Sequence, residues 1–255
     1  MTDTPEYAPG TPSWVDLGTP DIPAATTFYG TLFGWRADEV PGGGGYAMLS
    51  LDGRNVAALG PQQDPGPPHW TTYISVEDAD KTTELVQTAG GTVLAAPMDV
   101  FDAGRLAVYA DPTGAAIAVW QPNTMKGADV TGVPGSYCWT ELSTRDAEAA
   151  KKFYNDVFGW NAHAGSIDGN PYTEFKVGEK SVAGMMPMGD DMPAEVPAHW
   201  MPYFEVADTD RTVTEATALG GGVTVPAMDI PTVGRFAILS DPQGAMFGVI
   251  ASTPR

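Results

Sequence analysis

The chain carries two kinds of hydrophobic spacing in turn. In "WVDLGTPDIPAATTFYGTLFGW" (Trp14–Trp35) apolar and polar residues first alternate, as on a half-buried strand. Past Asp21, Ala24, Ala25, Phe28 and Tyr29 fall at helical spacing. An Asp ahead of such a run marks a helix start, because its carboxylate accepts the first unpaired amide protons. "TYISVEDADKTTELVQTAGG" repeats the order: a strand, Asp78 as cap, a helix of about ten residues and a Gly-Gly stop. Short alternating strands follow each helix: "YAMLSLDG" and "NVAALG" after the first, "TVLAAPMDV", "RLAVYADP" and "AAIAVW" after the second. The unit is strand-helix-strand-strand-strand.

That unit recurs. Trp14–Trp35 matches "WTELSTRDAEAAKKFYNDVFGW" (Trp139–Trp160) at an offset of 125 residues. "MDVFDAGRLAVYADPTGAAIAVW" matches "MDIPTVGRFAILSDPQGAMFGVI" at an offset of 130, which puts about five extra residues between Trp160 and His199. "PPHWTTYISVEDAD" (67–80) matches "VPAHWMPYFEVADTD" (196–210). Asp78 aligns with Asp21, and Asp208 with Asp146, so each copy divides again and the chain holds four units. The polar, Gly-containing "QPNTMKGADVTGVPGS" reads as a linker. The expected division is a first domain over residues 1–122, a linker over 123–135 and a second domain over 136–255.

The pattern D-x-x-x-A-x-x-F-Y-x-x-x-F-G-W, followed by D-P-x-G-A, resembles the vicinal oxygen chelate superfamily: glyoxalase I, bleomycin-resistance proteins and extradiol dioxygenases. "FYGTLFGW" and "HWTTYISVEDAD" are similar to a two-domain actinobacterial branch of it. That branch includes a mycobacterial culture-filtrate antigen and proteins called hydroxylases in antibiotic gene clusters. The resemblance implies an α+β fold. Four βαβββ modules would pair into two glyoxalase-like, cup-shaped mixed-sheet domains, each with its site inside the cup.

In the superfamily's metal enzymes, one ligand sits seven residues ahead of each capping Asp. Another, a Glu, sits seven residues after the Asp of D-P-x-G. Here those positions hold Trp14, Thr71, Trp139 and Met201, then Ala118 and Gly248. None offers imidazole, carboxylate or thiolate, so neither a metal nor another cofactor is expected. Ala118 and Gly248 either leave the cup open for an apolar ligand or let bulky neighbours pack.

Strand alternation places Asp16 on the face of Trp14, and Glu141 on that of Trp139. It groups His69 and Tyr73 with Thr71, and His199 and Tyr203 with Met201. A buried carboxylate must be paired or protonated. A nearby histidine is a natural partner, so Asp16 with His69 and Glu141 with His199 are candidate acid-base pairs. Trp14, Thr71, Tyr73, Ala118, Trp139, Met201, Tyr203 and Gly248 are candidate ligand contacts. The bland alternatives stay open: the histidines as structural residues at a strand entrance, the tryptophans as core. Arg105 and Arg235 are expected to pair with Asp99 and Asp229, and Asp111 and Asp241 to make turns. His163 is expected at the surface, and Cys138, beside Trp139, should point out of the cup.

Composition narrows the partners. The 255 residues carry a formal net charge of −19 at a pI near 4.2, which repels nucleic acid and anionic membranes. No apolar run approaches the ~18 residues of a membrane span. A single cysteine allows no internal disulfide. "MTDTPEYAPGTPSW" lacks the basic and apolar regions of a secretion signal, so a cytoplasmic protein is expected, as a monomer or homodimer. Three readings follow. The first is a metal-independent enzyme performing a tailoring step (hydroxylation, rearrangement or cyclisation) on a hydrophobic aromatic small molecule. The second is a protein that only sequesters such a molecule, and the third a metalloenzyme with relocated ligands.

Overall fold

The computed structural model describes residues 5–63, 65–167, 169–189 and 192–253. The first half runs β1 (Pro12–Thr19), α1 (Ile22–Phe33), β2 (Arg36–Glu39), β3 (Ala47–Leu51), β4 (Arg54–Pro61), then β5 (His69–Ser75), α2 (Ala79–Thr88), β6 (Thr92–Val100), β7 (Gly104–Ala110) and β8 (Ala116–Pro122). The second repeats it: β9 (Tyr137–Thr144), α3 (Ala147–Phe158), β10 (Asn161–Ile167), β11 (Asn170–Val177), β12 (Lys180–Pro187), β13 (His199–Glu205), α4 (Thr209–Ala218), β14 (Gly222–Ile230), β15 (Gly234–Ser240) and β16 (Met246–Ser252). Asp21, Asp78, Asp146 and Asp208 cap the four helices, each accepting the backbone N–H three residues on. β2 gave no sequence signal because its four residues, Arg-Ala-Asp-Glu, are largely exposed.

Each half is one eight-stranded mixed sheet, ordered β2-β3-β4-β1-β5-β8-β7-β6 and β10-β11-β12-β9-β13-β16-β15-β14. At the centre, β1 runs antiparallel to β5, and each runs parallel to the last strand of its own module. Both sheets curl into cups. Among the described residues no helix is long and apolar enough to cross a membrane.

The helix-bearing convex faces of the two sheets pack on each other. One shared core joins Phe28, Tyr29 and Phe33 of α1 to Phe204 of β13 and Phe247 of β16. The other joins Tyr109 and Ile117 to Phe153, Tyr154 and Trp160. Matched hydrogen bonds staple the halves. Trp70 Nε1 donates to Tyr29 Oη (3.1 Å), which donates to Asp241 (3.1 Å). Trp200 Nε1 donates to Tyr154 Oη (2.7 Å), which donates to Asp111 (2.8 Å). The Asp111 and Asp241 turns expected from D-P-x-G are present, and their second carboxylate oxygen serves the opposite half. Helix tyrosines and D-P aspartates thus fasten the domains through their convex faces.

The connecting stretch is packed down as well. Ala128 and Val130 are buried, and Asp129 accepts the Asn55 N–H at 2.8 Å. Arg105 pairs with Asp99 and Asp80, Arg235 with Asp229 and Asp210, at exposed positions as expected, and His163 is exposed. Cys138 departs from expectation. A bulge between Trp139 and Tyr137, opposite Tyr203 and Phe204, inserts Cys138 into the ladder, so it joins Trp139, Met201 and Tyr203 in the concave cluster. Its Sγ donates to the Tyr203 carbonyl at 3.3 Å. Simple alternation fails where one strand carries an extra residue.

Candidate functional site in the two cups

The central strand pair builds each floor. Opposite β5, Trp14 faces Tyr73, Asp16 faces Thr71 and Gly18 faces His69; in the second half Trp139 faces Tyr203 and Glu141 faces Met201. On the parallel side Tyr73 stands beside Ala118, and Tyr203 beside Gly248. The predicted site residues are therefore brought together as two sets, one per cup.

The carboxylates are held by tyrosines. Asp16 Oδ2 accepts from Tyr73 Oη (2.9 Å) and Tyr46 Oη (3.0 Å), and Thr71 adds a further hydrogen bond. Trp14 Nε1 donates to Tyr46 at 3.4 Å. In the second cup Glu141 accepts from Tyr203 (3.1 Å) and Tyr172, and Trp139 Nε1 donates to Tyr172 (3.1 Å). Burial lifts Asp16 to about 6, against the pull of its hydroxyl donors and of the His69 charge. Burial raises Glu141 too, opposed only by Tyr203 and Tyr172. Tyr46, Tyr73 and Tyr203 are pushed well above the ordinary phenol range by burial and by the carboxylates, so they remain donors.

The histidines sit at the rim. His69 Nδ1 lies 3.1 Å from the Pro67 carbonyl and reaches Asp16 through its charge; His199 Nδ1 lies 2.9 Å from the Pro197 carbonyl. Histidines were the expected partners of the carboxylates; the hydrogen bonds observed come from a tyrosine pair in each cup. Tyr46 and Tyr172 were missed by sequence reasoning. Tyr46 just precedes β3 and Tyr172 is the third residue of β11, in "YAMLSL" and "YTEFKV", 126 residues apart, and that repeated tyrosine was the available signal.

Small residues make room for rings. A Cβ on Gly248 would overlap the Tyr203 ring, and one on Gly184 the Tyr172 hydroxyl. The space left at Gly248 is therefore filled by Tyr203 rather than open to a ligand. Ala118 is buried beneath Tyr73 within the cluster of Trp14 and Trp120.

Residues 11–119 and 136–249 each match the Glyoxalase/Bleomycin resistance protein/Dioxygenase superfamily. The chain belongs to this superfamily. It is 45% identical, over all of both chains, to a Mycobacterium tuberculosis protein provisionally named glyoxylase CFP32. It is 44% identical to the anthracycline biosynthesis protein DnrV of Streptomyces peucetius, over 96% of this chain and 94% of that one. The fold is shared with 2,2',3-trihydroxybiphenyl 1,2-dioxygenase from Sphingomonas wittichii at a TM-score of 0.68 and 15% identity, covering 96% of this chain and 91% of that one. It is shared with a Mn(II)-bound glyoxalase from Novosphingobium aromaticivorans at 0.67 and 16%, covering 95% and 82%.

Against the superfamily's metal enzymes, the donor set of this chain does not fit a divalent ion. Each floor has one carboxylate, already bonded by two tyrosine hydroxyls, flanked by indole and methyl groups where ligands would stand. Among the described residues no three His, Cys, Asp or Glu side chains converge as a metal site would require.

Proposed function

We propose that this superfamily member is a metal-independent acid-base catalyst. It carries out a rearrangement or cyclisation on a hydrophobic, polycyclic aromatic small molecule, as a tailoring step of secondary metabolism. The observation that carries the reading is Asp16. A carboxyl with a pKa of about 6, in an apolar cup and fixed by Tyr46 and Tyr73, is matched to accept and return a proton near neutral pH. A proton taken from one carbon of the ligand and returned at another needs no oxidant or reductant. That favours rearrangement or cyclisation over hydroxylation. His69, at the rim and within electrostatic reach of Asp16, would exchange that proton with solvent. Full-length similarity to an anthracycline biosynthesis protein supports an aromatic polyketide as the ligand class.

The second cup supports the catalytic reading less. Met201 stands where Thr71 donates to Asp16, and Glu141 is the more deeply buried acid. Sequestration of an aromatic molecule without conversion is the second reading for the protein.

The test uses a panel of tetracyclic anthracyclinones, with product formation followed by chromatography and binding by quenching of tryptophan fluorescence. Asp16→Asn is expected to lower turnover by ~10²-fold or more while binding persists. Turnover at the parent rate removes Asp16 from the chemistry. A stoichiometric metal whose chelation abolishes turnover would overturn metal independence.

A further inference from the structure

We propose that Phe101 is the stacking surface over the mouth of the first cup, selecting planar aromatic ring systems, and that this cup is therefore the one that takes the ligand. The inference rests on the aromatic ligand class proposed above and adds which cup binds it and through which residue.

Phe101 lies in the turn between β6 and β7 and is 67% exposed, the most exposed large apolar side chain among the described residues. Its backbone is left-handed (φ 48°), which a bulky side chain rarely adopts. Its neighbours Val100 and Ala103 pack into the cup with Trp14, Tyr46 and Met48. Its ring reaches Gly42, where an added Cβ would lie 3.9 Å from Phe101 Cζ. Gly42 belongs to the loop between β2 and β3, at the opposite edge of the same sheet. The contact therefore spans the cup from edge to edge.

The Phe101 side is tied to another part of the chain, whereas the backbone hydrogen bonds of the facing loop, Val40 N–H to Tyr46 and Gly43 N–H to Val40, close on the loop itself. The Phe101 turn is pinned from the connecting stretch: Asn123 Nδ2 and Thr124 Oγ1 each donate to the Asp102 carbonyl at 2.9 Å, and Met125 N–H donates to Ala103 at 3.1 Å. The facing loop holds Gly42, Gly44 and Gly45 at φ 75°, 62° and 95°, and runs directly into Tyr46. A ligand that parts Gly42 from Phe101 moves the loop that carries an Asp16 donor, while the ring stays in place to stack on it. Among the described residues no other ring stacks on Phe101, so one face of an apolar ring is held at the mouth without a partner.

The second cup lacks both halves of this cover. Pro231 aligns with Phe101, and its ring holds φ negative, so the left-handed residue moves on to Thr232 (φ 67°). In place of the glycine loop, β10 and β11 join in a tight hairpin whose ladder runs to Ile167 and Asn170.

The experiment is equilibrium dialysis of the full chain against 1,8-dihydroxyanthraquinone, a neutral planar tricycle. One molecule is expected per chain. Phe101→Ala should weaken binding about five- to tenfold, Phe101→Tyr should keep it within about twofold, and Pro231→Ala should leave it unchanged. Equal melting temperatures for parent and Phe101→Ala, expected for so exposed a side chain, separate lost stacking from lost folding. Parent-like affinity in Phe101→Ala, or a loss confined to Pro231→Ala, overturns the assignment of the cup while the aromatic ligand class stands. No binding by the parent protein overturns both.

Discussion

Replacing Asp16 by Asn tests the electrostatics of the floor without any substrate. Asn keeps an oxygen that can accept from Tyr46 and Tyr73 but cannot ionise. Asp16 is raised from 3.8 to about 6 on folding, so between those values the folded chain binds more protons than the unfolded one. A raised carboxyl therefore lowers stability as pH rises through that window, and the full penalty is present above it. At 1.36 kcal/mol per pH unit the gap corresponds to about 3 kcal/mol, of which about 1.4 develops between pH 5 and pH 8. Asp16 is half-buried and partly reached by water, which reduces that share toward ~1 kcal/mol. Urea unfolding of parent and variant at pH 5 and pH 8, clear of the pI near 4.2, reads this residue together with its coupling to His69, because groups that do not interact with Asp16 cancel in the difference. The variant should gain on the parent by about 1 kcal/mol or more across that span. A difference that is constant with pH, or that turns against Asn at pH 8, would refute the claim that the fold holds Asp16 in an unfavourable ionised state.

Tyr46→Phe removes one donor that lowers Asp16, so the carboxyl should titrate above 6; a carbonyl-carbon NMR titration of Asp16 reads the upward displacement directly. Tyr154→Phe strands the Trp200 N–H and an Asp111 oxygen inside the interdomain core, and should cost about 2–4 kcal/mol in denaturant unfolding. Gly248→Ala forces the Tyr203 ring off its glycine. Near-ultraviolet circular dichroism should change and stability fall by about 1–3 kcal/mol, whereas a silent substitution would show the ring has room.

Most of the architecture was legible because it rests on short-range rules. Four capping aspartates, two hydrophobic periods and a repeat offset locate all four helices and the central strands. β2 escaped because a four-residue, solvent-facing edge has no buried face to impose alternation. Cys138 escaped because period-two reasoning assumes an unbroken ladder. The carboxylates were legible as buried acids needing partners. Their hydrogen-bond partners proved to be tyrosines, with His69 acting on Asp16 through its charge; the strand that carries the histidines was visible as a motif, whereas Tyr46, in the loop before β3, was not. The double service of Asp111 and Asp241 was invisible too, because a turn aspartate looks the same whether or not its second oxygen receives a tyrosine from 43 or 212 residues away.

The His-Trp-x-x-Tyr strand occurs twice because one strand must satisfy two faces at once. In β5, Trp70 points into the interdomain core and donates to Tyr29, while Thr71 and Tyr73 point into the cup and bond Asp16. β13 repeats this with Trp200 and Tyr203, while Met201 takes the place of Thr71 without a side-chain hydrogen bond to Glu141. The stapling set is the same in both halves: Trp70 and Trp200, Tyr29 and Tyr154, Asp241 and Asp111. The concave positions are where the halves part: Thr71 against Met201, Ala118 against Gly248, Phe101 against Pro231. Loss of a staple leaves a buried donor or acceptor unpaired, whereas the residues that differ between the cups belong to no staple. Packing therefore constrains the convex faces equally and leaves the cups free to diverge. Two cups on one scaffold thus differ in both floor and mouth.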